Sequence, residues 1–346
     1  MNFLIPGGAG YIGIHIAFLL LDSGHDVVII DNFSNSSPES IDDLENLMGR
    51  KITCYQSDIS DETELNRIFT KHSFDAVIHL AALKSVSESI LKPNEYFKNN
   101  CNGTSCLLSV MRSFGVKNLI YSSSATVYGI PKYLPIDENH PLSSNNPYAE
   151  TKLKIEEELR SISEAEDGWN IVCLRYFNPV GAHESGLIGE NPRGIPNNLM
   201  PYIVNVANGE LPHINIYGND YDTIDGTGVR DYVHIMDLSE SHLLALNYLG
   251  LKVINHEDIE LSSIAKEGFH IFNIGTGKGC SVLELISTFE EVNNAKIPYK
   301  FASRRPGDVA SCYANVHRSA QAFKWIATRG VEEMCSSAWN FKIRSS

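Results

Sequence analysis

The first half of the chain alternates short apolar runs with longer segments of helical periodicity. Short runs of mainly apolar residues, without a polar residue at every second position, are typical of strands that are buried on both faces. Strands are predicted at 3–5, 27–30, 76–80, 119–121 and 171–174, and helices at 11–21, 62–71, 93–114 and 148–165. This alternation predicts an α/β fold of the doubly wound, Rossmann-like class, with helices on both faces of a parallel sheet.

A glycine-rich segment separates the first predicted strand from the first predicted helix. It satisfies Gly-x-Gly-x-x-Gly from Gly8 to Gly13, and Asp31 ends the second strand. Such glycines let the backbone approach a pyrophosphate at a helix N-terminus, and the acid accepts hydrogen bonds from the adenosine ribose of NAD. The glycines alone could form only a tight turn; with the strand, helix and acid they predict an NAD site. Asp58 is a candidate adenine contact, with a helix N-cap as the alternative.

Beyond residue 177 the pattern changes. Residues 178–228 are rich in glycine, proline, asparagine and aspartate and contain few periodic runs. Long irregular segments in compact proteins are usually functional, and ligands of doubly wound sheets bind beyond the carboxyl ends of the strands. We therefore predict an NAD-binding domain over 1–177, to which the chain returns around 230–248, and a smaller substrate-binding domain over 178–346.

Tyr148 and Lys152 form the second chemical pattern. They lie four residues apart at the start of a predicted helix, so that both side chains share one face. To act as a base near pH 7, the phenol needs a pKa about 3 units below its usual value, and nearby positive charge supplies such a shift. Tyr128 and Tyr248 also precede a lysine at this spacing, but a proline or glycine within each interval disfavours a helix. Ser124 ends a buried strand, where it can bind a substrate hydroxyl or cap a loop.

Composition narrows the class of partner. The 28 Lys+Arg against 42 Asp+Glu give a net charge of −14, which argues against a nucleic-acid or anionic membrane partner. No apolar run reaches the roughly 18 residues of a membrane span. The seven cysteines are odd in number and contain no Cys-x-x-Cys pair, which favours reduced thiols in a cytoplasmic protein. No metal site is predicted.

Eight segments carry a more specific pattern. They are GGAGYIG at 7–13, IHLAALK at 78–84, SSSATVYG at 122–129, PYAETK at 147–152, LRYFNPVGA at 174–182, GIPNNLMPY at 194–202, GTGVRDYVH at 226–234 and RRPGD at 304–308. In this order they resemble the extended short-chain dehydrogenase/reductase family and, within it, the UDP-hexose 4-epimerases. The resemblance implies a tightly held NAD, inversion at carbon 4 of UDP-glucose and UDP-galactose through a transient 4-keto sugar, and a homodimer.

The resemblance also implies a role for each matching residue. Tyr148 takes the proton of the sugar 4-hydroxyl, Ser124 hydrogen-bonds that hydroxyl, and Lys152 lowers the pKa of Tyr148 while holding the nicotinamide ribose. The implied cofactor-binding residues are Gly7, Gly10, Tyr11, Ile12, Gly13, Asp31, Asn32, Asp58, Ile59, Leu80, Ala81, Lys84, Asn99, Tyr148, Lys152 and Phe177. The implied substrate-binding residues are Ser124, Asn178, Asn198, Leu199, Tyr217, Arg230, Arg305, Asp308 and Cys312.

Two other functions fit the same fold. A nucleotide-sugar 4,6-dehydratase shares the first oxidation but needs an acid after the strand, where this chain has Ser124, Ala125 and Thr126. A non-catalytic NAD-binding protein is the other alternative, because fold alone does not decide function. The intact Ser124, Tyr148 and Lys152 favour the epimerase over both.

Cys312 bears on the width of the substrate site. In the family, a residue that follows the Arg-x-Gly-Asp motif faces the sugar 2-position, and a small residue there admits an N-acetyl group. Cys312 at this position predicts activity on UDP-GlcNAc and UDP-GalNAc as well. Tyr313 is next in the chain, so a shift of one residue would reverse the conclusion, and Cys312 could also be a small buried filler.

Some positions depart from the family pattern. Pro6 and Ile14 replace a threonine and a serine around the glycine segment. Both replacements are expected to weaken the binding of NAD. Residues 251–266 look like an insertion at the surface.

Overall fold

The structure is a computed structural model that describes residues 1–192, 194, 196, 198–255, 267–305 and 307–345. Its strands are β1 Asn2–Pro6, β2 Asp26–Asp31, β3 Thr53–Gln56, β4 Ala76–His79, β5 Asn118–Ser124, β6 Asn170–Tyr176, β7 Asn178–Val180, β8 Ile214–Tyr217, β9 Val229–Arg230, β10 Tyr232–His234, β11 Gly268–Ile274, β12 Cys280–Ser281, β13 Tyr299–Ala302 and β14 Ser311–Cys312. Its helices are α1 Tyr11–Asp22, α2 Glu39–Met48, α3 Glu62–Lys71, α4 Val86–Leu91, α5 Pro93–Tyr96, α6 Gly103–Ser113, α7 Pro147–Ala165, α8 Leu199–Ala207, α9 Ile235–Tyr248, α10 Val282–Asn293, α11 His317–Phe323 and α12 Val331–Ser345.

Seven parallel strands form the central sheet, in the order β11-β6-β5-β4-β1-β2-β3. The chain runs outwards in one direction from β1 through β2 and β3, and in the other from β4 through β5 and β6. The order therefore reverses between β1 and β4, which is where ligands of doubly wound sheets bind. The predicted doubly wound parallel sheet is confirmed.

Alternate residues of the central strands pack on opposite faces of the sheet. In β1, Phe3 and Ile5 join the core beneath α1 and α9, whereas Leu4 joins the core beneath α3, α6 and α7. Both sides of each strand are thus covered, which explains why the strand sequences are apolar without alternation. Because both faces of the strands are packed, the positions of the strand ends are defined. The loops that follow the strands start from these positions.

The second half of the chain contributes to the same sheet. Helix α9 packs against α1, and β11 pairs with the whole of β6, from Gly268 beside Asn170 to Ile274 beside Tyr176. Helices α8, α10 and α12 surround a separate core that includes Ile203, Leu285 and Phe289, whereas α11 packs against α9 and β11. The sheet therefore takes one strand from the range 178–346, and a domain boundary at residue 177 stays a prediction.

The helix predicted at 93–114 differs in detail. Helix α5 leads into a π-helical stretch, Phe97–Asn102, and then into α6. Gly103 lies where the helix crosses Ile59: a Cβ there would lie 2.9 Å from the isoleucine Cδ1. Among the described residues, no helix is long and apolar enough to cross a membrane. Most of the predicted insertion, 256–266, lies outside the described residues.

Candidate functional site

A cleft of about 860 Å³ follows the carboxyl ends of the six strands from β1 to β6. All the predicted cofactor-binding residues except Asp58 line it. Of the predicted substrate-binding residues, Ser124, Asn178 and Asn198 line it. The fold therefore brings residues from the whole first half of the chain to one cavity.

The glycine segment forms the sharp turn between β1 and α1. Gly7 has φ +79°, and a Cβ on it would lie 2.5 Å from the backbone nitrogen of Ala81. A Cβ on Gly13 would lie 2.6 Å from the Cα of Gly8, so the helix can approach the turn only with glycine here. Gly10 caps α1 without a side-chain hydrogen bond, which leaves backbone N–H groups at the positive end of the helix for an anion.

Pro6 is accommodated at the end of β1. Its carbonyl accepts hydrogen bonds from the backbone nitrogens of Leu80 and Ala81, each at 2.9 Å, and Gly7 N donates to Ile30 O at 2.7 Å. The carbonyl of Pro6 and the N–H of Gly7 thus connect the turn to the segment that follows β4 and to β2. Neither contact needs the N–H that proline lacks.

Asp31 lies at the end of β2, beside the glycine turn. Its carboxylate accepts hydrogen bonds from Ala9 N at 3.1 Å, Phe33 N at 2.9 Å and Ser36 Oγ at 2.7 Å. The buried acid thereby fixes the turn on one side and the loop after β2 on the other. It lines the cleft, as its predicted contact with a ribose requires.

Asp58 lies just behind the cleft wall. It accepts a hydrogen bond from Asn32 Nδ2 at 2.8 Å and two from Ser60. Burial raises the pKa of Asp58, but these hydrogen bonds outweigh it and the net shift is downwards. Asp61, which accepts from Glu64 N at 3.0 Å, is the N-cap of α3, so the alternative role suggested for Asp58 belongs to a neighbour.

Ser124, Tyr148 and Lys152, here called the Tyr148 cluster, meet at the centre of the cleft. Asn146 caps α7 by accepting a hydrogen bond from Ala149 N at 2.9 Å, so Tyr148 lies in the first turn of the helix. Lys152 lies one turn later; its Nζ donates to Ser122 O at 2.6 Å and is 5.9 Å from the centroid of the Tyr148 ring. The structure brings together the three residues that the sequence indicated.

The environment of the Tyr148 cluster shifts two pKa values. Burial raises the pKa of Tyr148 to about 12, against the opposite effect of a hydrogen bond with Ser124. Burial lowers the pKa of Lys152 to about 8. In the protein alone burial therefore outweighs the hydrogen bond with Ser124, and the downward shift predicted for the pKa of Tyr148 also depends on the positive nicotinamide ring of the implied cofactor.

Ser124 also has the capping role that was the alternative for it. Its Oγ accepts hydrogen bonds from Thr126 N at 3.3 Å and from Thr126 Oγ1 at 3.0 Å, at the start of a 3₁₀ turn, Ala125–Tyr128. Both contacts leave the hydroxyl in the cleft, where it also meets Tyr148.

A buried ion pair lies beneath the Tyr148 cluster and was not predicted. Glu156 accepts from Arg175 Nε at 3.0 Å and Nη2 at 2.5 Å, and from Ser123 Oγ at 2.6 Å. Arg175 Nη1 donates to the hydroxyl of Tyr128 at 3.0 Å. The pair joins α7 to the ends of β5 and β6, directly behind Lys152. One sequence signal for it exists, an acid four residues after Lys152 on the buried face of the helix.

The other predicted substrate residues gather on the second half of the chain. Tyr217, Arg230, Arg305 and Asp308 form what we call the Arg305 cluster. Asp308 accepts from Arg305 Nε at 2.9 Å and lies 3.9 Å from Arg230 Nη2, and the Arg305 guanidinium lies 4.8 Å from the Tyr217 ring centroid. Arg230 is not paired with its neighbour Asp231, which is buried and accepts backbone hydrogen bonds instead.

Cys312 and Tyr313 point in different directions. Cys312 pairs with Arg230 in the strand register and packs against a small apolar cluster that contains Phe177, which lines the cleft, but Cys312 does not line the cleft itself. The Tyr313 ring lies on the side of Gly279, where a Cβ would be 3.3 Å from it. Leu199, the first residue of α8, packs against the separate core of the second half.

Glu190 is a further residue that the sequence analysis missed. It lines the cleft, accepts a hydrogen bond from Asn198 Nδ2 at 2.7 Å and lies 3.9 Å from Lys84 Nζ. Lys84 is about a hundred residues earlier in the chain, and Asn198 follows across an irregular segment, so no motif indicated Glu190. Within the described parts of the chain, no group of three or more histidine, cysteine or acidic side chains is placed to hold a metal ion.

Comparison with known proteins gives consistent results. The family model described as GDP-mannose 4,6 dehydratase matches residues 4–338. A UDP-glucose 4-epimerase of Bacillus subtilis is 46% identical over 342 residues, which cover 99% of this chain and 97% of the relative.

Solved structures extend this likeness. A UDP-glucose 4-epimerase from Bifidobacterium longum, in complex with NAD+ and UDP, is 45% identical with a TM-score of 0.92, covering 99% of this chain and 98% of that one. A UDP-Glc/GlcNAc 4-epimerase from Campylobacter jejuni is 33% identical with a TM-score of 0.82, covering 99% of both chains. The chain therefore belongs to the family that the GDP-mannose 4,6 dehydratase model describes and, within it, to the UDP-glucose 4-epimerases.

Proposed function

We propose that this protein is an NAD-dependent epimerase that inverts carbon 4 of UDP-hexoses. The observation that carries the proposal is the placement of Ser124, Tyr148 and Lys152 in one cleft with the glycine turn. Such an arrangement puts an acid/base group beside the place where a dinucleotide would end. Family membership supplies the reaction, and the cleft supplies the groups that the reaction needs.

The residues around β1 and α1 fit NAD. The glycine turn leaves no room for a Cβ, α1 presents free N–H groups to the cleft, and Asp31 lines the cleft beside that turn, where it could accept from a ribose hydroxyl. A carboxylate there also repels a 2′-phosphate, which favours NAD over NADP. Bound NAD supplies the acceptor for the hydride of carbon 4 and returns that hydride to the 4-keto sugar.

Tyr148 is the proposed proton acceptor for the sugar 4-hydroxyl. The proton leaves the oxygen as the hydride leaves carbon 4, and it returns when the hydride is added to the opposite face. Ser124 donates to or accepts from the same hydroxyl and thereby orients it. Lys152, held by Ser122 O, supplies positive charge that stabilises the phenolate form of Tyr148.

The Arg305 cluster is the proposed anchor of the UDP moiety. Arginine binds phosphate oxygens with two donors at once, so Arg230 and Arg305 are suited to the diphosphate. Asp308 accepts from Arg305 Nε at 2.9 Å and lies 3.9 Å from Arg230 Nη2, and its proposed role is to accept from a ribose hydroxyl of the bound ligand. The hexose itself must remain loosely held, because it has to present both faces of carbon 4.

A dehydratase is disfavoured by the residues after β5. Elimination of the 6-hydroxyl needs an acid, and the 3₁₀ turn that follows β5 offers Ala125 and Thr126. A non-catalytic NAD-binding protein would not convert a UDP-hexose, so a measurement of turnover distinguishes it from an epimerase.

The proposed substrates include N-acetylated UDP-hexoses. The support is Cys312, which packs against the apolar cluster that contains the cleft residue Phe177, whereas the Tyr313 ring lies beside Gly279. Cys312→Tyr is expected to reduce turnover of UDP-GalNAc by about tenfold or more while leaving that of UDP-galactose within about twofold, because the larger ring fills the space for the acetyl group. Tyr313→Phe serves as the control, and equal losses for both substrates would contradict the assignment.

The proposal is tested by proton NMR of the purified protein given UDP-galactose and UDP-GalNAc separately. Conversion of UDP-galactose without added NAD supports a 4-epimerase with retained cofactor. No conversion, even with added NAD, would refute the function.

A homodimer in the cytoplasm is the proposed form of the protein. The support is the resemblance to the family, whose dimers use the helices that correspond to 93–114 and 148–165, together with seven unpaired cysteines. Sedimentation analysis tests the dimer directly.

A further inference from the structure

Glu190 lies in the segment between β7 and α8, at the wall shared by the main cleft and a smaller cavity of about 150 Å³. Its side chain is only 10% exposed. A carboxylate is an unexpected lining for a cleft that would take two anionic ligands, because like charges repel one another. Burial raises the pKa of Glu190, because water does not solvate the carboxylate there. Lys84 and Asn198 have the opposite effect and favour the charged form.

The contacts of Glu190 connect opposite walls of the cleft. Lys84 follows β4 on the sheet side, and Asn198 precedes α8 on the other side. Both meet the same oxygen: Asn198 Nδ2 donates to Oε1 at 2.7 Å, and Lys84 Nζ lies 3.9 Å from it. A single carboxylate oxygen thus links a residue of the proposed cofactor site to a residue of the proposed substrate site.

Hydride transfer depends strongly on the relative position of donor and acceptor carbons, so groups that hold the two ligands must be fixed relative to each other. A lysine side chain that is 61% exposed keeps many rotamers unless a counter-charge holds it. Glu190 supplies that charge from a buried position, and the same oxygen orients the amide of Asn198.

We propose that Glu190 is a positioning residue, which holds Lys84 and Asn198 in a fixed relation across the cleft. The inference rests on the epimerase function proposed above and goes beyond it by assigning a residue outside the Tyr148 and Arg305 clusters. It predicts that substitutions of Glu190 act through its two partners.

A double-mutant cycle tests the link to Lys84. Glu190→Gln keeps an oxygen that can accept from Asn198 but removes the charge that holds Lys84. For UDP-galactose we expect kcat to fall about tenfold with KM changed less than about twofold, and the same substitution in a Lys84→Met background to change kcat less than about twofold. A full tenfold loss in both backgrounds would overturn the proposal.

Binding of UDP tests the link to Asn198 without turnover. Glu190→Ala removes the acceptor, and calorimetry is expected to show UDP binding weakened about fivefold in the wild-type background but less than twofold in an Asn198→Ala background. Equal weakening in both backgrounds would contradict the link.

Two further variants keep the test decisive. Glu184→Gln changes an exposed acid of the same segment and is expected to retain wild-type kcat and UDP affinity. If the Glu190 variants do not fold, Asn198→Asp places a second carboxylate against Glu190, and wild-type kinetics for it would overturn the proposal. Failure of the wild type to convert UDP-galactose would refute the proposed function, whereas an active wild type with additive variants refutes only the role of Glu190.

Discussion

The Tyr148 cluster and the Arg305 cluster are held in different ways. Tyr148 and Lys152 are buried, and one helix and the ends of two central strands fix them. Arg305 and Tyr217 are 55% and 40% exposed and depend on an ion pair and a ring contact. Exposed ion pairs contribute about 0–1 kcal/mol, so their partners exchange readily. The difference suits a reaction in which chemistry occurs at one fixed point and a flexible anchor allows the sugar to turn.

The largest expected effect is at the fixed point. Tyr148→Phe removes the hydroxyl that we propose exchanges the proton, and we expect kcat to fall by at least about 1,000-fold, within the range of general acid–base catalysis. UDP affinity should stay within about twofold, because the ring remains. Steady-state kinetics and calorimetry measure the two effects, with Tyr133→Phe, an exposed tyrosine, as the control. A variant that lost affinity instead would show that the two clusters are not separate.

The second effect concerns the support of the Tyr148 cluster. Glu156→Ala leaves the buried guanidinium of Arg175 without its partner, and we expect a loss of about 3–5 kcal/mol in the free energy of unfolding. Chemical denaturation measures it. Glu157→Ala, on the exposed face of the same helix, should stay within about 0.5 kcal/mol of the wild type. Similar losses for the two variants would contradict the conclusion that the ion pair of Glu156 and Arg175 supports the Tyr148 cluster.

Substitutions in the Arg305 cluster should change the affinity for the UDP-sugar and not the turnover rate. Arg305→Met is expected to raise the KM for UDP-galactose about tenfold and to leave kcat within about twofold, because the lost contact is made equally in ground and transition states. Arg304→Met is the matched control, since Arg304 pairs with Asp220 outside the cluster. A fall in kcat of the size expected for Tyr148→Phe would place Arg305 in the reacting group.

Near neutral pH the smallest expected effect is that of pH itself, and it grows only above pH 8. Burial lowers the pKa of Lys152 to about 8, so raising the pH through this value removes the positive charge beside Tyr148. The turnover rate should therefore fall on the alkaline side, by roughly tenfold for each pH unit well above 8. Because Lys152 lies in the Tyr148 cluster and the proposed UDP anchor is the Arg305 cluster, the KM should change less than kcat. A kcat that is constant from pH 7 to 10 would contradict the assigned role of Lys152.

The sequence predicted the parts of the molecule that depend on neighbours along the chain. The glycine turn, Asp31 and the pair Tyr148 and Lys152 lie at strand ends or on one helix face, so spacing alone places them. β11 was missed because its partner β6 lies about a hundred residues earlier. Pairing at that separation leaves no local signal.

Contacts between side chains on different elements of the fold could not be predicted from the sequence either. Glu156 and Arg175 belong to a helix and a strand, and Glu190 reaches Lys84 on a different element. The burial that raises the pKa of Tyr148 in the protein alone also carries no signal in the sequence, whereas the lowered pKa predicted with the nicotinamide in place stays a prediction.

The late position of β11 in the chain has a consequence for synthesis. Until residue 274 has left the ribosome, β6 presents an unpaired edge of apolar residues, including Val172 and Leu174. Such an edge invites pairing with another nascent chain. A fragment that ends at residue 177 should therefore aggregate, and the intact chain should depend on chaperones until its last central strand arrives.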